Sequence, residues 1–213
     1  MSLRSYLFVP GDSDRKLARS ESAGADALIL DLEDSVAPAQ KSAARIRVRE
    51  FLLAHPQRPT TQLWVRINPL DTSEALADLA ALIGAQPDGI MQPKTRCADD
   101  VSRLAHYLDA FEAQHQLEAG KIRILPVATE TPEALFSLGD FARCGPRLLG
   151  MTWGAEDLST AIGATGNQEA DGRWTQPFQL ARSLCLFGAN AAGVAAIDTL
   201  YADIRNSEGL RSA

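Results

Sequence analysis

A single α/β domain over residues 1–213, built as a (β/α)₈ barrel that lacks its eighth strand, is predicted by three features of the sequence. Short apolar runs alternate with helix-forming stretches, no linker or composition break interrupts them, and polar residues recur at strand ends: Asp31, Arg66, Lys94, Glu130, Asp157 and Asp198. An open doubly wound sheet would normally carry a glycine-rich first turn, whereas the first turn here is Val9-Pro10-Gly11-Asp12, with no GxGxxG. A barrel builds its site from the loops at the carboxyl ends of many strands, which is the distribution seen.

Taken in order, Ser5-Tyr6-Leu7-Phe8-Val9 reads as the first strand, and Ser13 or Asp14 caps a helix to about Ala23. Ala27-Leu28-Ile29-Leu30 is a second, buried strand; the acid-rich turn Asp31 to Ser35 follows, then a helix from Pro38 to Ala54. Residues 62–67 form the third strand, and Ser73 caps a helix from Glu74 to about Ile83. Gly89 to Gln92 is the fourth strand, ended by Pro93-Lys94, with strong helix formers from Asp99 to Gln116. Residues 122–128 form the fifth strand, and Thr131-Pro132 starts a helix with a cap and a first-turn proline. Residues 148–153 are the sixth strand, followed by the turn Gly154-Ala155-Glu156-Asp157. A glycine-rich loop (164–175), an apolar helix (177–191) and a seventh strand, Ala195-Ala196-Ile197, complete the pattern.

The chain carries 21 basic and 27 acidic residues, a net charge of −6, which argues against a nucleic-acid or membrane-surface binder. An acidic protein that handles anions must gather its cations in one cleft. No apolar run is long enough to span a bilayer, and the opening MSLRSYLFVPGD is interrupted too soon for a signal peptide, so a cytoplasmic location is expected. Cys97, Cys144 and Cys185 are widely spaced and read as reduced packing residues; His55, His106 and His115 lack metal-ligand spacing.

Glu130 and Asp157 each follow a strand, so on parallel neighbours they emerge side by side. Two carboxylates converging on one point suit Mg²⁺, which takes few protein ligands and keeps positions for water and substrate. A helix cap at Glu130 and a solvated turn acid at Asp157 explain the same spacing. Arg66 offers a fixed cationic fork to a carboxylate or an enolate oxygen. Asp31, Glu33 and Asp34 can orient Arg66, hold metal-bound waters or supply a base, and a helix dipole alone accounts for Asp34. Lys94 follows a strand directly, where Schiff-base chemistry would be possible; pairing with the acids of the site is preferred. Pro10, Gly11, Arg15 and Lys16 are candidates to receive the phosphates of a CoA or phosphopantetheine arm.

Seven motifs occur in order: LFVPGD (7–12), LDLEDSV (30–36), WVRIN (64–68), QPK (92–94), ETPEAL (130–135), WGAEDL (153–158) and AIDTLY (196–201). Together they resemble the citrate lyase beta subunit-like group of the aldolase/citrate lyase superfamily, relatives of malyl-CoA and citramalyl-CoA lyases. The resemblance implies a TIM barrel, a Mg²⁺ cofactor, and cleavage of a citryl, citramalyl or malyl thioester into an acyl thioester and an α-keto acid such as oxaloacetate. It implies a homo-oligomer, with a trimer favoured, and a CoA or acyl-carrier-protein substrate. It places the metal on Glu130 and Asp157 and the substrate on Arg66; Asp31 and Glu33 join Arg66 as catalytic candidates, and Glu130, Pro10, Gly11 and Lys94 as substrate-binding ones. Members of the group continue into an eighth strand and a helical tail, so the general base stays unassigned. An aldolase of free hydroxy-keto acids and a non-catalytic subunit of a lyase complex are the competing expectations.

Overall fold

The second strand, Ala27–Asp31 (β2, ALILD), is buried along its whole length, as a parallel strand covered on both faces must be. In the computed structural model, which describes residues 3–203 and 205–212, it lies between β1 (Tyr6–Pro10) and β3 (Gln62–Arg66), and β4 (Gly89–Gln92) and β5 (Arg123–Pro126) continue the sheet. All four pairings are parallel. β6 (Gly150–Thr152) and β7 (Ala195–Ile197) pair in parallel, and parallel bridges Ile124–Leu148 and Val127–Thr152 join β6 to β5. Strand order therefore equals chain order, as in a (β/α)₈ barrel. Among the described residues there is no eighth strand, and no pairing joins β7 back to β1. Met1 and Ser2, the start of the stretch read against a leader peptide, and Ile204 and Ala213, in the tail read as lacking an eighth strand, lie outside the described residues.

The helices sit where the sequence predicts, with local differences. Ser13 caps α1 (Asp14–Ser20) by accepting from the Lys16 amide. The next helix opens as one 3₁₀ turn, Pro38–Gln40, before α2 (Lys41–Ala54). α3 (Ser73–Leu82) starts one residue early: Thr72, not Ser73, is its N-cap, and the Thr72 hydroxyl bonds the Pro69 carbonyl instead of capping. α4 spans Ala98–Gln114. The fifth helix shrinks to the single turn α5 (Pro132–Leu135) and a 3₁₀ segment, Leu138–Arg143, because Ser137, Gly139 and Asp140 propagate a helix poorly. The Thr131 hydroxyl is buried without a hydrogen bond and does not cap it. α6 (Glu156–Ala161) replaces the expected open turn and carries Glu156 and Asp157 in its first turn. α7 (Gln176–Ala191) follows, and α8 (Ser207–Ser212) has no counterpart in the sequence reading.

Two apolar layers result. The larger packs the helices on the outside of the sheet. The smaller fills the inside with Ala27, Ile29, Trp64, Met91, Leu125 and Val127, flanked by Phe8 from β1 and Ile197 from β7. Residues from the first and last strands meeting in one cluster require the sheet to curl. Trp64 is the largest of these side chains and is fully buried; it lies over Gly89 in register on β4. A Cβ at position 89 would fall 2.2 Å from the indole, so Gly89→Ala is expected to destabilise the protein by about 1–3 kcal/mol, read as a lower urea midpoint with an unchanged m-value. An unchanged midpoint would mean that the indole has room to move.

Candidate active site at the strand ends

Asp31 and Arg66 are paired residues at the ends of β2 and β3. The guanidinium donates Nε to Asp31 Oδ1 at 2.7 Å and Nη2 to Asp31 Oδ2 at 2.8 Å, a bidentate geometry that fixes its plane. Phe8 lies 4.9 Å beneath it. Asp31 also accepts from the amides of Glu33 and Ser35. Burial alone would raise the Asp31 carboxyl, but hydrogen bonding and charge from Arg66 hold it below its ordinary value. Both its oxygens are committed and it stays ionised, so its geometry is that of an anchor for Arg66; a catalytic base would need a free lone pair.

Glu33 stands differently. Its Oε2 is 3.0 Å from Arg66 Nη1 but makes no directed hydrogen bond, while its Oε1 receives Lys94 Nζ at 2.5 Å. Burial, outweighing the charges of Arg66 and Lys94, raises its pKa. The turn that carries it is held from below: Lys41 Nζ donates to the carbonyls of Leu32 and Glu33, each at 2.7 Å. Asn68, just past Arg66, donates Nδ2 to the Leu32 carbonyl and to the fully buried Asp78, which also takes Arg45 Nε at 2.6 Å.

Lys94 bridges the two halves of the cluster. Its φ of +49° is left-handed, at a cost of about 1–2 kcal/mol for a residue with a Cβ. That turn aims its amide at Glu130 Oε2, while its side chain reaches Glu33 and comes within 3.3 Å of Asp157 Oδ1 and 3.8 Å of Asp34 Oδ1. The charges of the acids outweigh the cost of burying the ammonium, and its pKa is raised. Glu130 is only 5 % exposed. Burial, with Asp157 and Glu33 acting in the same direction, pushes its pKa up to about 8 against the Lys94 amide. Gly154 backs onto it: a Cβ there would fall 2.9 Å from Glu130 Cγ, and its amide is held by Thr129 Oγ1 at 3.0 Å.

Five of the six predicted strand-end groups, Asp31, Arg66, Lys94, Glu130 and Asp157, thus join Glu33 and Asp34 in one network. Asp198 stays outside it, bound to Trp153 Nε1 at 2.6 Å and to Arg182. Gly11 lies beside the network, against the end of β2. It is buried, its amide is spent on the Asp31 carbonyl, and a Cβ would fall 2.8 Å from that oxygen, so it serves close packing and offers no amide to a phosphate. Pro10 pairs with Asp31 in the sheet and has no N–H to give, while Arg15 and Lys16 are exposed on α1. Phe8, Lys41, Asp78 and Gly154 were not among the predicted site residues. Only Gly154 left a local signal, a glycine directly after a strand and before two acids.

The acids and cations are unequal in number: Asp31, Glu33, Asp34, Glu130 and Asp157 face Arg66 and Lys94. The donors are all oxygen, and Asp157 remains a third exposed. Among the described residues no three His, Cys, Asp or Glu side chains form a ready metal cage. A buried carboxyl, Glu130, beside a part-exposed one, Asp157, offers a hard cation two oxygen donors and an open side for water and substrate, so the residues fit Mg²⁺. Strand-end acids gathered around a locked arginine make a site suited to small anionic substrates. Residues 4–213 match the HpcH/HpaI aldolase/citrate lyase family, and the chain belongs to that family. It is 35% identical over 206 residues to citrate lyase subunit beta of Haemophilus influenzae, covering 97% of this chain and 68% of that one. It is 31% identical over 209 residues to a (3S)-malyl-CoA thioesterase of Cereibacter sphaeroides, covering 98% and 67%. The chain thus spans about two thirds of the length of these curated relatives. The crystal structure of protein CitE from Mycobacterium tuberculosis in complex with magnesium, acetoacetate and coenzyme A superposes with a TM-score of 0.80 at 34% identity, covering 99% of this chain and 71% of that one.

Proposed function

We propose that this chain is a Mg²⁺-dependent lyase that splits a citryl, citramalyl or malyl thioester into an acyl thioester and an α-keto acid, or joins them in reverse. The observation that carries the reading is the locked Arg66 guanidinium in one network with Glu130 and Asp157. Glu130 and Asp157 would hold the metal. Bound there, Mg²⁺ polarises the hydroxyl or keto oxygen of the substrate and neutralises its carboxylate. Arg66, held in plane by Asp31, presents Nη1 to a carboxylate or enolate oxygen. Of the two predicted catalytic acids, Glu33 is the better suited to carry a proton, because burial raises its pKa while that of Asp31 is held down. Asp31 keeps Arg66 oriented. CoA as the thioester carrier and a homotrimeric assembly belong to the same proposal, and light scattering checks the trimer.

The test is an assay of keto-acid and acyl-thioester release with and without Mg²⁺. Activity is expected to require the metal and to fall by at least about a hundredfold in Glu130→Gln and Asp157→Asn. Metal-independent turnover, or full activity in both variants, would discard the assignment. The (3S)-malyl-CoA thioesterase relative favours a second reading, hydrolysis of the thioester on the same site. Free thiol released together with the intact hydroxy acid, and no keto acid, would select that reading over carbon–carbon cleavage.

A further inference from the structure

We propose that Lys94 is the resident counter-cation of the acid cluster, and that it gives up Asp157 to the divalent cation while staying anchored on Glu33. The inference rests on the metal reading of Glu130 and Asp157 given above. Arg66 cannot play this part, because Asp31 grips it through two nitrogens and Phe8 closes its face. Lys94 can move: its side chain is a third exposed and hangs on a flexible stem. Its contacts are graded, with Nζ at 2.5 Å from Glu33, 3.3 Å from Asp157 and 3.8 Å from Asp34. Asp157 is therefore held less closely than Glu33, and it is one of the two carboxylates that the metal needs. An ammonium 3.3 Å from an oxygen that a Mg²⁺ ion must approach to about 2.1 Å places two cations in mutual repulsion, so they cannot share it at full strength.

The backbone points the same way. A glycine would adopt the left-handed turn at position 94 and deliver the same amide to Glu130 without strain. A lysine there makes sense if the side chain is used. It keeps the crowded carboxylates compatible with a folded, metal-free chain, and metal affinity is lowered by the competition.

Calorimetric titration of the metal-free protein with MgCl₂ tests this in Lys94→Met, Lys94→Gln and Lys94→Arg. The neutral variants are expected to bind Mg²⁺ about tenfold more tightly than the parent, with Lys94→Arg close to the parent, and the gain is expected to shrink at high ionic strength. Their metal-free melting temperatures are expected to fall, and Mg²⁺ should restore them by more than it raises the parent's. Equal or weaker Mg²⁺ binding by a folded Lys94→Met or Lys94→Gln overturns the proposal. Should neither neutral variant fold, the parent decides: trinitrobenzenesulfonate labelling of Lys94, followed by mass spectrometry, is expected to speed up several-fold with saturating Mg²⁺. An unchanged or slower rate overturns the proposal. A parent that binds no Mg²⁺ refutes the metal reading itself, a result distinct from a parent that binds beside variants that bind no better.

Discussion

Arg66→Ala is expected to cost about 3–5 kcal/mol of stability and about a thousandfold in kcat/KM. The stability loss follows from what the guanidinium leaves behind. Asp31 is 1 % exposed and Glu33 is 3 % exposed, and Arg66 bonds the first through two nitrogens and lies 3.0 Å from the second. Without it, two buried carboxylates lose their main cation, and the truncation opens a gap over Phe8. Activity is expected to fall for a separate reason, since the Nη1 group proposed to meet the substrate is gone. The double variant Arg66→Met/Asp31→Asn separates the two effects. Removing both charges is expected to restore much of the urea midpoint and none of the turnover. Recovery of turnover in that variant would mean that Arg66 only neutralises Asp31 and does not touch substrate. Arg66→Lys is expected to fold better than Arg66→Ala yet remain strongly impaired, because a lysine offers no planar fork to Asp31.

The strands and most helices could be read from local chemistry. β2 and β4 are short apolar runs closed by turn residues, and α7 carries Pro177 in its first turn, starting one residue before the position the sequence predicts. The helix after β5 could not, because Thr131-Pro132 is a correct start signal on a stretch that cannot sustain more than one turn. The site was legible as a set of strand ends, but its internal wiring was not. In ALILD both faces are apolar, so nothing in the run says that Asp31 points inward with Ile29, and the Asp31–Arg66 pairing appears only once the register is known. Asp198 obeys the same strand-end rule as Glu130, yet Trp153 and Arg182 draw its carboxylate away from the cluster. The left-handed turn at Lys94 has no sequence signature at all, because the residue that adopts it is not a glycine.

Glu130→Gln is expected to stabilise the metal-free protein at alkaline pH while removing its response to Mg²⁺. The Glu130 carboxyl is raised from an ordinary 4.5 to about 8 in the fold, chiefly by burial. Between those values the folded state binds more protons than the unfolded chain, so this group makes stability fall as pH rises through that window. Below about 4.5 the penalty is absent, and above about 8 it is fully present. The neutral amide carries no such penalty and can still accept from the Lys94 amide. Metal-free Glu130→Gln should therefore come close to the parent near pH 5 and exceed it by several kcal/mol, about 4, near pH 8.5, a flatter profile of unfolding free energy against pH. Glu33, also raised, remains in both proteins and leaves a residual slope of the same sign. Saturating Mg²⁺ should reverse the order, stabilising the parent and leaving the variant unmoved. At pH 7 the parent should also release most of a proton on binding the metal, measurable by calorimetry in buffers of different ionisation enthalpy, because a carboxyl with a pKa of about 8 is still largely protonated there. Parallel pH profiles for the two proteins would show that Glu130 is ionised in the metal-free fold and that its burial is already compensated. The same burial that costs stability without the metal leaves a carboxylate poised to take a divalent charge, so the instability and the activity would have one origin.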